Sequence, residues 1–559
     1  MRGGRALAAL VLAASAALCV GNLRRASATV DEANHLHAGY RALAEGDFGW
    51  NEEHPPLAKM LAAAPLLALH PATRPVEAPP GGGPREPAQA REAFDAFAFR
   101  DNPPAERLFL LGRLPIVALG LGLCAAVGLV ARARHGGAAG LLALALAAFD
   151  PNLLAHSGLV TTDVAVALFS FLAVVAFARA LAARSLRADG MAGLALGLAQ
   201  ASKHTALLLY PILGVLALAR SASSPRGTRL WPFRSLGVAC ALSFFVLWGC
   251  YGFQVGRLGF PPEKFSFLPE ALGIRALALR WNEGSVPMPS FAWGVRYNVG
   301  FAHRGGWPAF FLGRTSEGGG FLAYYPVAFL VKTPLATLAL LAAGLSLRGK
   351  WRLSLRRDGD LLFAAAAFFG TAVASRINLG IRHILPVYPF LFVLASRTAP
   401  AALEAAGRLG RASLATAGVG LVASTAGAFP HFLAYFHEGV GGAEGGRRIL
   451  LDSNLDWGQD LIGLRDWLAE NRVESVKLHY FGTAPPEAYG IAWQPMTDAE
   501  RFAPGEGVFA VSAMSLANVR ADARRFAWLL EREPDAKVGH TIWVWDLRPG
   551  RRGGEGRPR

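Results

Sequence analysis

A polytopic, mainly α-helical membrane bundle with a small α/β domain at its C-terminal end is the fold class that this sequence predicts. Of its 559 residues, 53% are hydrophobic and only 17% charged, and the mean hydropathy is +0.32. A soluble chain of this size needs far more polar surface. Apolar runs long enough to cross hydrocarbon, about 20 residues each, recur from residue 6 to about residue 430. Beyond them the pattern shifts to short strand-like runs around an amphipathic helix.

The net charge of +16 does not point to nucleic acid. Its basic residues fall between apolar runs and in the C-terminal tail, as the positive-inside rule expects of a membrane chain. The four cysteines, Cys19, Cys124, Cys240 and Cys250, lie in or beside apolar segments and read as small buried hydrophobes. No Cys/His pattern has zinc spacing.

Arg2 and Arg5 hold the N-terminus in the cytoplasm, and residues 6–23 form the first span. Ala26-Ser27-Ala28 imitates a signal-peptide cleavage site, but Arg24 and Arg25 interrupt it and the span is expected to be retained. Asp31 is thereby placed outside. Residues 71–105, rich in Pro, Gly and charge, read as an exposed loop. The second span, 107–131, ends at cytoplasmic Arg132, Arg134 and His135. A third returns from about Gly137 to Asp150-Pro151-Asn152, and a fourth starts at Asp163, on the same face as Asp31.

Residues 191–220 are flanked by arginines on both sides. Two half-helices meeting near Lys203 satisfy that pattern, because irregular backbone at membrane depth is tolerated where protein or water surrounds it. Lys203 then has a function, or it snorkels along a single long helix. Residues 235–252 lead outward to a long aromatic loop, 253–320, and Lys332 lies in the span that follows. A lone lysine there is expensive unless it meets an anion. Residues 360–375 go outward again, a further span begins near Leu385, and the last, 413–430, leaves the remainder outside. The expected total is about eleven membrane segments, the two half-helices included.

The division is therefore a membrane domain, 1–432, with an external loop at 24–106, and an extracytoplasmic α/β domain, 433–559, ending in a disordered basic tail. The α/β domain should hold a helix from Leu461 to Asn471 and strands at Ser475–Phe481, Gly507–Ser512 and Thr541–Trp545. At its entrance stands LLDSNLDWGQDL, with Asp452, Asp456, Trp457, Gln459 and Asp460 crowded together. Helix N-capping by Ser453 or Asn454 is the simplest account of it.

Two stretches carry candidate chemistry. In residues 31–59 the carboxylates Asp31 and Glu32 are followed by His54, a stiff Pro55-Pro56 step and Lys59, close to the start of a short helix that could receive an anion. An ordinary solvated loop is the alternative. Near residue 380, Arg376, Arg382 and His383 lie within eight residues on the external face, against the positive-inside bias. Such a cluster wants an anionic partner, either a phosphate bound by two parallel Arg hydrogen bonds or bulk anionic headgroups.

The strings Asp31-Glu32, Gly46-Asp47-Phe48 and His54-Pro55-Pro56-Leu57-Ala58-Lys59 resemble the first extracytoplasmic loop of the protein O-mannosyltransferase-like glycosyltransferases, family 39, of the GT-C fold. More distantly they resemble the aminoarabinose transferases that modify lipid A, where the position of His54 is usually Lys. The phrases around His303 to Trp307, Tyr324 to Pro334 and Ser375 to Pro389 resemble the same family in the same order, over most of residues 1–400.

The resemblance implies an integral membrane enzyme that moves a sugar from a polyprenyl-phosphate carrier to an acceptor hydroxyl, with inversion. It makes Asp31 the catalytic base, with Glu32 or Asp163 orienting acceptor or sugar. Arg376, Arg382 and His383 would form the phosphate clamp, with contributions from His54, Lys59, Lys203 and Lys332. No cofactor is expected, since the lipid-linked sugar is a co-substrate. Asp31, Glu32, Asp163 and nearby histidines have donor atoms for a divalent ion, but no ligand pattern is sharp and none is predicted. The family's β-trefoil MIR module is absent, so the acceptor stays open among glycan, lipid and protein. The expected partners are that donor, that acceptor and membrane lipids, and the expected location is the plasma (inner) membrane. A lipid-linked sugar transporter or flippase, or a non-catalytic assembly scaffold, are the competing functions.

Overall fold

The computed structural model describes residues 2–77, 85–260, 274–375, 377–405, 407–517 and 524–549. Arg376 of the expected clamp and residues 550–559 of the basic tail lie outside the described residues.

Among the described residues, six helices are long and apolar enough to cross a membrane: Gly3–Leu23, Ala105–His135, Asp163–Ala183, His204–Ala222, Arg226–Cys250 and Ile381–Glu404. Two bent pairs raise the number to eight when each is counted as one span. Gly137–Ala148 and Pro151–Ser157 meet at 60°, and Tyr324–Lys332 and Leu335–Ser346 at 109°. Both breaks are proline corners. Pro334 has no N–H to continue the helix and pushes Thr333 into extended backbone, φ −90° and ψ 131°. The helices Leu186–Ser202, Leu355–Ala374 and Gly407–Ala428 are not among these spans, so the expected total of about eleven segments exceeds the six to eight found among the described residues.

The stretch 191–220 breaks where its charge pattern requires. Lys203 is extended, φ −157° and ψ 141°, between the helices Leu186–Ser202 and Leu209–Ala222. The first of these has 17 residues, about 25 Å at the helical rise, so it is longer than a half-helix. Gly193 and Gly197 let it lie close against the helix Trp231–Cys250. A Cβ at Gly197 would come within 2.6 Å of Val246 Cβ, and one at Gly193 within 2.9 Å of the Ala239 carbonyl. Its end delivers Lys203 to the level of Asp163, at the end of the bundle that carries Asp31.

The helices nearest that end are the most enclosed, with 72% of the apolar window of Asp163–Ala183 and 94% of that of Ile381–Glu404 buried, against 22% for the first helix. Polar groups held by these two helices therefore sit on rigid supports.

The C-terminal domain is a mixed five-stranded sheet in the order Trp493–Pro495, Val476–His479, Gly507–Ser512, Ile542–Leu547, Ala536–Val538. The first three strands are parallel and the last two antiparallel to their neighbours. The helix Leu461–Glu470 leads into the sheet. Three of these strands are visible as apolar runs. The other two are three residues long, too short for alternation to show. The domain docks on the chain just after the first helix. The Ala28 N–H donates to the Tyr489 hydroxyl at 2.8 Å, and the Thr483 hydroxyl donates to the Val30 carbonyl at 3.2 Å.

Candidate active site

Adjacent carboxylates at the start of the helix Glu32–Glu45 have opposite surroundings. Glu32 is fully buried and accepts five hydrogen bonds. Arg113 gives two, at 2.8 and 2.6 Å, the Thr29 N–H and hydroxyl give two at 2.9 and 3.1 Å, and the Val160 N–H gives one at 2.8 Å. Burial alone pushes this carboxyl up, but the Arg113 charge and hydrogen bonds outweigh it and hold Glu32 below its usual range. Arg113 also donates to the carbonyls of Leu23, Ala26 and Ser27. The pair thus ties the loop before Asp31 to the helix Ala105–His135.

Glu32 does not line the cavity beside Asp31, which corrects its expected role of orienting the acceptor. All its acceptor sites are used by protein. Glu32→Gln is expected to destabilise the fold by about 3–5 kcal/mol, because it leaves a buried guanidinium uncompensated. A melting temperature equal to that of the unmodified protein would contradict this.

Asp31 is 27% exposed at its side chain and accepts a hydrogen bond from Arg382 Nη1 at 3.2 Å. Arg382 follows Gly380, whose φ of +147° and ψ of 168° favour glycine. A Cβ there would lie 2.3 Å from the Ser453 hydroxyl. The same guanidinium approaches Asp163 at 3.9 Å, and Lys203 Nζ donates to the other Asp163 oxygen at 2.6 Å. A chain of alternating charge results: Asp31, Arg382, Asp163, Lys203. Asp163 is only 1% exposed, pairs with Lys203 and does not line the cavity beside Asp31.

Asp31, Glu53, His54, Lys203, Arg382 and His383 line a cavity of about 400 Å³. Leu208, Val295, Phe301, Phe368, Ala372 and Pro386 line the same cavity with apolar surface. Among the described residues, His54 Nδ1 and His383 Nε2 are buried without hydrogen-bond partners. Burial, with His35 and Lys203 nearby, pushes His54 well below its usual value, so it enters as a neutral imidazole.

Two of the expected phosphate ligands are elsewhere. Lys59 is buried and donates to the carbonyls of Asn51 and His54, at 2.8 and 2.7 Å. Lys332 donates to the carbonyls of Leu433, at 2.9 Å, and Asn454. Neither lines the cavity. Backbone carbonyls absorb both ammonium groups, which is the physical reason that each is tolerated in an apolar setting.

Glu53 is the residue the sequence reading passed over. Asn51-Glu52-Glu53 looks like solvated loop, yet Glu53 lines the cavity, where Tyr297 hydrogen-bonds its side chain and Asn298 donates to its carbonyl at 2.9 Å. Burial and the Asp31 charge push its carboxyl up, against the Tyr297 hydrogen bond. Its position directly before His54-Pro55-Pro56 was the available signal. Among the described residues no group of three or more His, Cys, Asp or Glu is placed to hold a metal ion.

Residues 109–249 match the family model described as dolichyl-phosphate-mannose-protein mannosyltransferase. The S. cerevisiae protein O-mannosyltransferase Pmt1-Pmt2 complex, solved bound to the sugar donor, is similar over 77% of this chain and 90% of its own, with 12% identity and a TM-score of 0.50. ArnT from Cupriavidus metallidurans, solved in the apo state and bound to undecaprenyl phosphate, is similar over 96% of this chain and 97% of its own, with 12% identity and a TM-score of 0.49. No curated protein sequence matches significantly.

The chain has the GT-C fold, with six helices, or eight when each bent pair is one span, long and apolar enough to cross a membrane among the described residues. The match to the mannosyltransferase family model covers 141 of the 559 residues. Asp163 and Lys203 lie inside the matched stretch, and Asp31 and Arg382 outside it.

Proposed function

We propose that the protein transfers a sugar from a polyprenyl-phosphate carrier to an acceptor hydroxyl on the extracytoplasmic face, with inversion at the anomeric carbon. The observation that carries this reading is the meeting of Asp31 and Arg382 in a cavity that both charged and apolar side chains line. An acid beside a guanidinium, in a cavity with apolar walls, suits a ligand with a phosphate head and a hydrocarbon tail.

In this reading the phosphate of the donor binds Arg382, with Lys203 beside it, and competes with Asp31 for the guanidinium. Its arrival frees the Asp31 carboxylate to take the acceptor proton. The acceptor oxygen bonds to the anomeric carbon as the carbon–oxygen bond to phosphate breaks, on the opposite side. The phosphate leaves on its lipid as a monoester whose charge the two cations meet. Its departure needs no proton, so a single base suffices and the two-carboxylate arrangement of glycoside hydrolysis is not required. His54 offers a neutral ring nitrogen and His383 a further ring nitrogen to sugar hydroxyls, and Glu53 faces the acceptor in the place first given to Glu32.

The arginine-rich turns lie at the opposite end of the helices from this site, which supports a plasma (inner) membrane protein with its N-terminus in the cytoplasm and its C-terminal domain outside. The test is incubation of the reconstituted protein with labelled polyprenyl-phosphate sugars and a cell-envelope extract as acceptor. Label appearing in a new glycoside supports the reading. Label crossing the bilayer on unchanged lipid supports a transporter instead. Because side-chain cations neutralise the leaving phosphate here, transfer is expected to be unchanged in excess chelator. Its loss, with recovery on adding back a divalent ion, would contradict that part of the reading.

A further inference from the structure

The phrase Asp452 to Asp460 is not a helix cap. Asp460 precedes the helix Leu461–Glu470 without a side-chain capping bond, and Ser453 and Asn454 point elsewhere. The Ser453 hydroxyl donates to the Leu379 carbonyl, and Asn454 accepts from the Ile381 N–H at 2.9 Å and donates to the Tyr324 hydroxyl at 2.8 Å. These bonds hold the backbone on both sides of Gly380, immediately before Arg382. The other half of the phrase holds Asp31. The Val30 N–H donates to the Trp457 carbonyl at 3.2 Å, the Ser27 N–H to the Gln459 carbonyl at 2.8 Å, and the Ser27 hydroxyl to the Gly458 carbonyl at 2.9 Å.

Trp457 joins the two halves. Its carbonyl fixes the residue next to Asp31, and its ring, 2% exposed, lies under the Arg382 guanidinium at 4.4 Å. A guanidinium stacked on an indole face keeps its plane and its donors aimed in one direction, which an unstacked arginine does not. Asp31 and Arg382 are 351 positions apart in the chain, so a short segment that grips both sets their separation more directly than the helices do.

We infer that the segment Asp452–Asp460 is a brace that sets the spacing of Asp31 and Arg382, with Trp457 as the positioning residue that aims the guanidinium at the donor phosphate. This rests on the reading of the cavity proposed above. It gives the C-terminal domain a part in that reading, since the segment leads directly into the helix Leu461–Glu470 that precedes the sheet.

Transfer kinetics of Trp457→Leu and Trp457→Phe test it. Leu fills the site without an aromatic face, and Phe keeps a smaller one. The Leu variant is expected to raise the donor KM at least tenfold and to lower kcat. The Phe variant should recover most of the donor KM, although both variants lack the indole and melt alike. A role in packing alone makes the two variants equal in KM, and that result overturns the inference. Should the Leu variant fail to accumulate, Ser453→Ala decides: a several-fold fall in kcat supports the brace, and unchanged kinetics overturn it. Absence of transfer by the unmodified protein overturns the reading of the cavity, and the brace with it. Transfer by the unmodified protein that Trp457→Leu and Ser453→Ala leave unchanged overturns the brace alone.

Discussion

Asp31→Asn is expected to lower kcat by roughly 10²–10⁴-fold, the range that a positioned general base contributes, while leaving expression and melting intact. Of Asp31, Glu32 and Asp163, it alone combines exposure to the cavity with a single hydrogen bond from an arginine. Glu32 and Asp163 have their charges matched by buried cations and no open side. Asparagine keeps the shape and can still accept from Arg382, but it cannot take a proton. The donor KM should not rise, because the variant removes the carboxylate that competes with phosphate for the guanidinium. Steady-state transfer of a labelled sugar checks both parameters. A kcat within threefold of the unmodified protein would remove Asp31 from the chemistry.

Arg382→Ala acts on the other side of the pair. It removes a buried guanidinium that faces Asp31, Asp163 and the Trp457 ring, and leaves two carboxylates with Lys203 as their near cation. Truncating one partner of a buried charge pair costs about 2–5 kcal/mol in binding, so the affinity for a lipid phosphate should fall by more than tenfold and the melting temperature should drop as well. Arg382→Lys restores the charge without the fork and is expected to recover only part of the affinity. Titration of the reconstituted variants with a polyprenyl phosphate measures this directly. Equal affinity in Arg382→Ala and the unmodified protein would refute a phosphate role for this arginine.

Much of the architecture is legible in the sequence because the membrane imposes it. Runs of about 20 apolar residues and the distribution of arginines place the segments, and the break at Lys203 follows from charge on both flanks. An external basic cluster against the positive-inside bias marks Arg382, and charge in an apolar stretch marks Lys203. The same signal does not separate a ligand from a brace. Lys59 and Lys332 are as anomalous in sequence as Lys203, yet carbonyls of Asn51, His54, Leu433 and Asn454 absorb them. Glu32 and Asp31 are neighbours in sequence, and only the position of Arg113, 81 residues from Glu32, distinguishes the buried acid from the open one. The sequence marks Glu53 only by its place before His54 and Trp457 only by its crowded phrase, because their surroundings come from distant segments: Tyr297 and Asn298 for one, Val30 and Arg382 for the other.

The most direct test of the central claim is an experimental structure of the protein with undecaprenyl phosphate bound. The account places the phosphate within hydrogen-bonding distance of Arg382, with its tail along Phe301 and Phe368 and the Asp31 carboxylate released. A phosphate held away from Arg382, or an Asp31–Arg382 bond unchanged with the lipid in place, would contradict it.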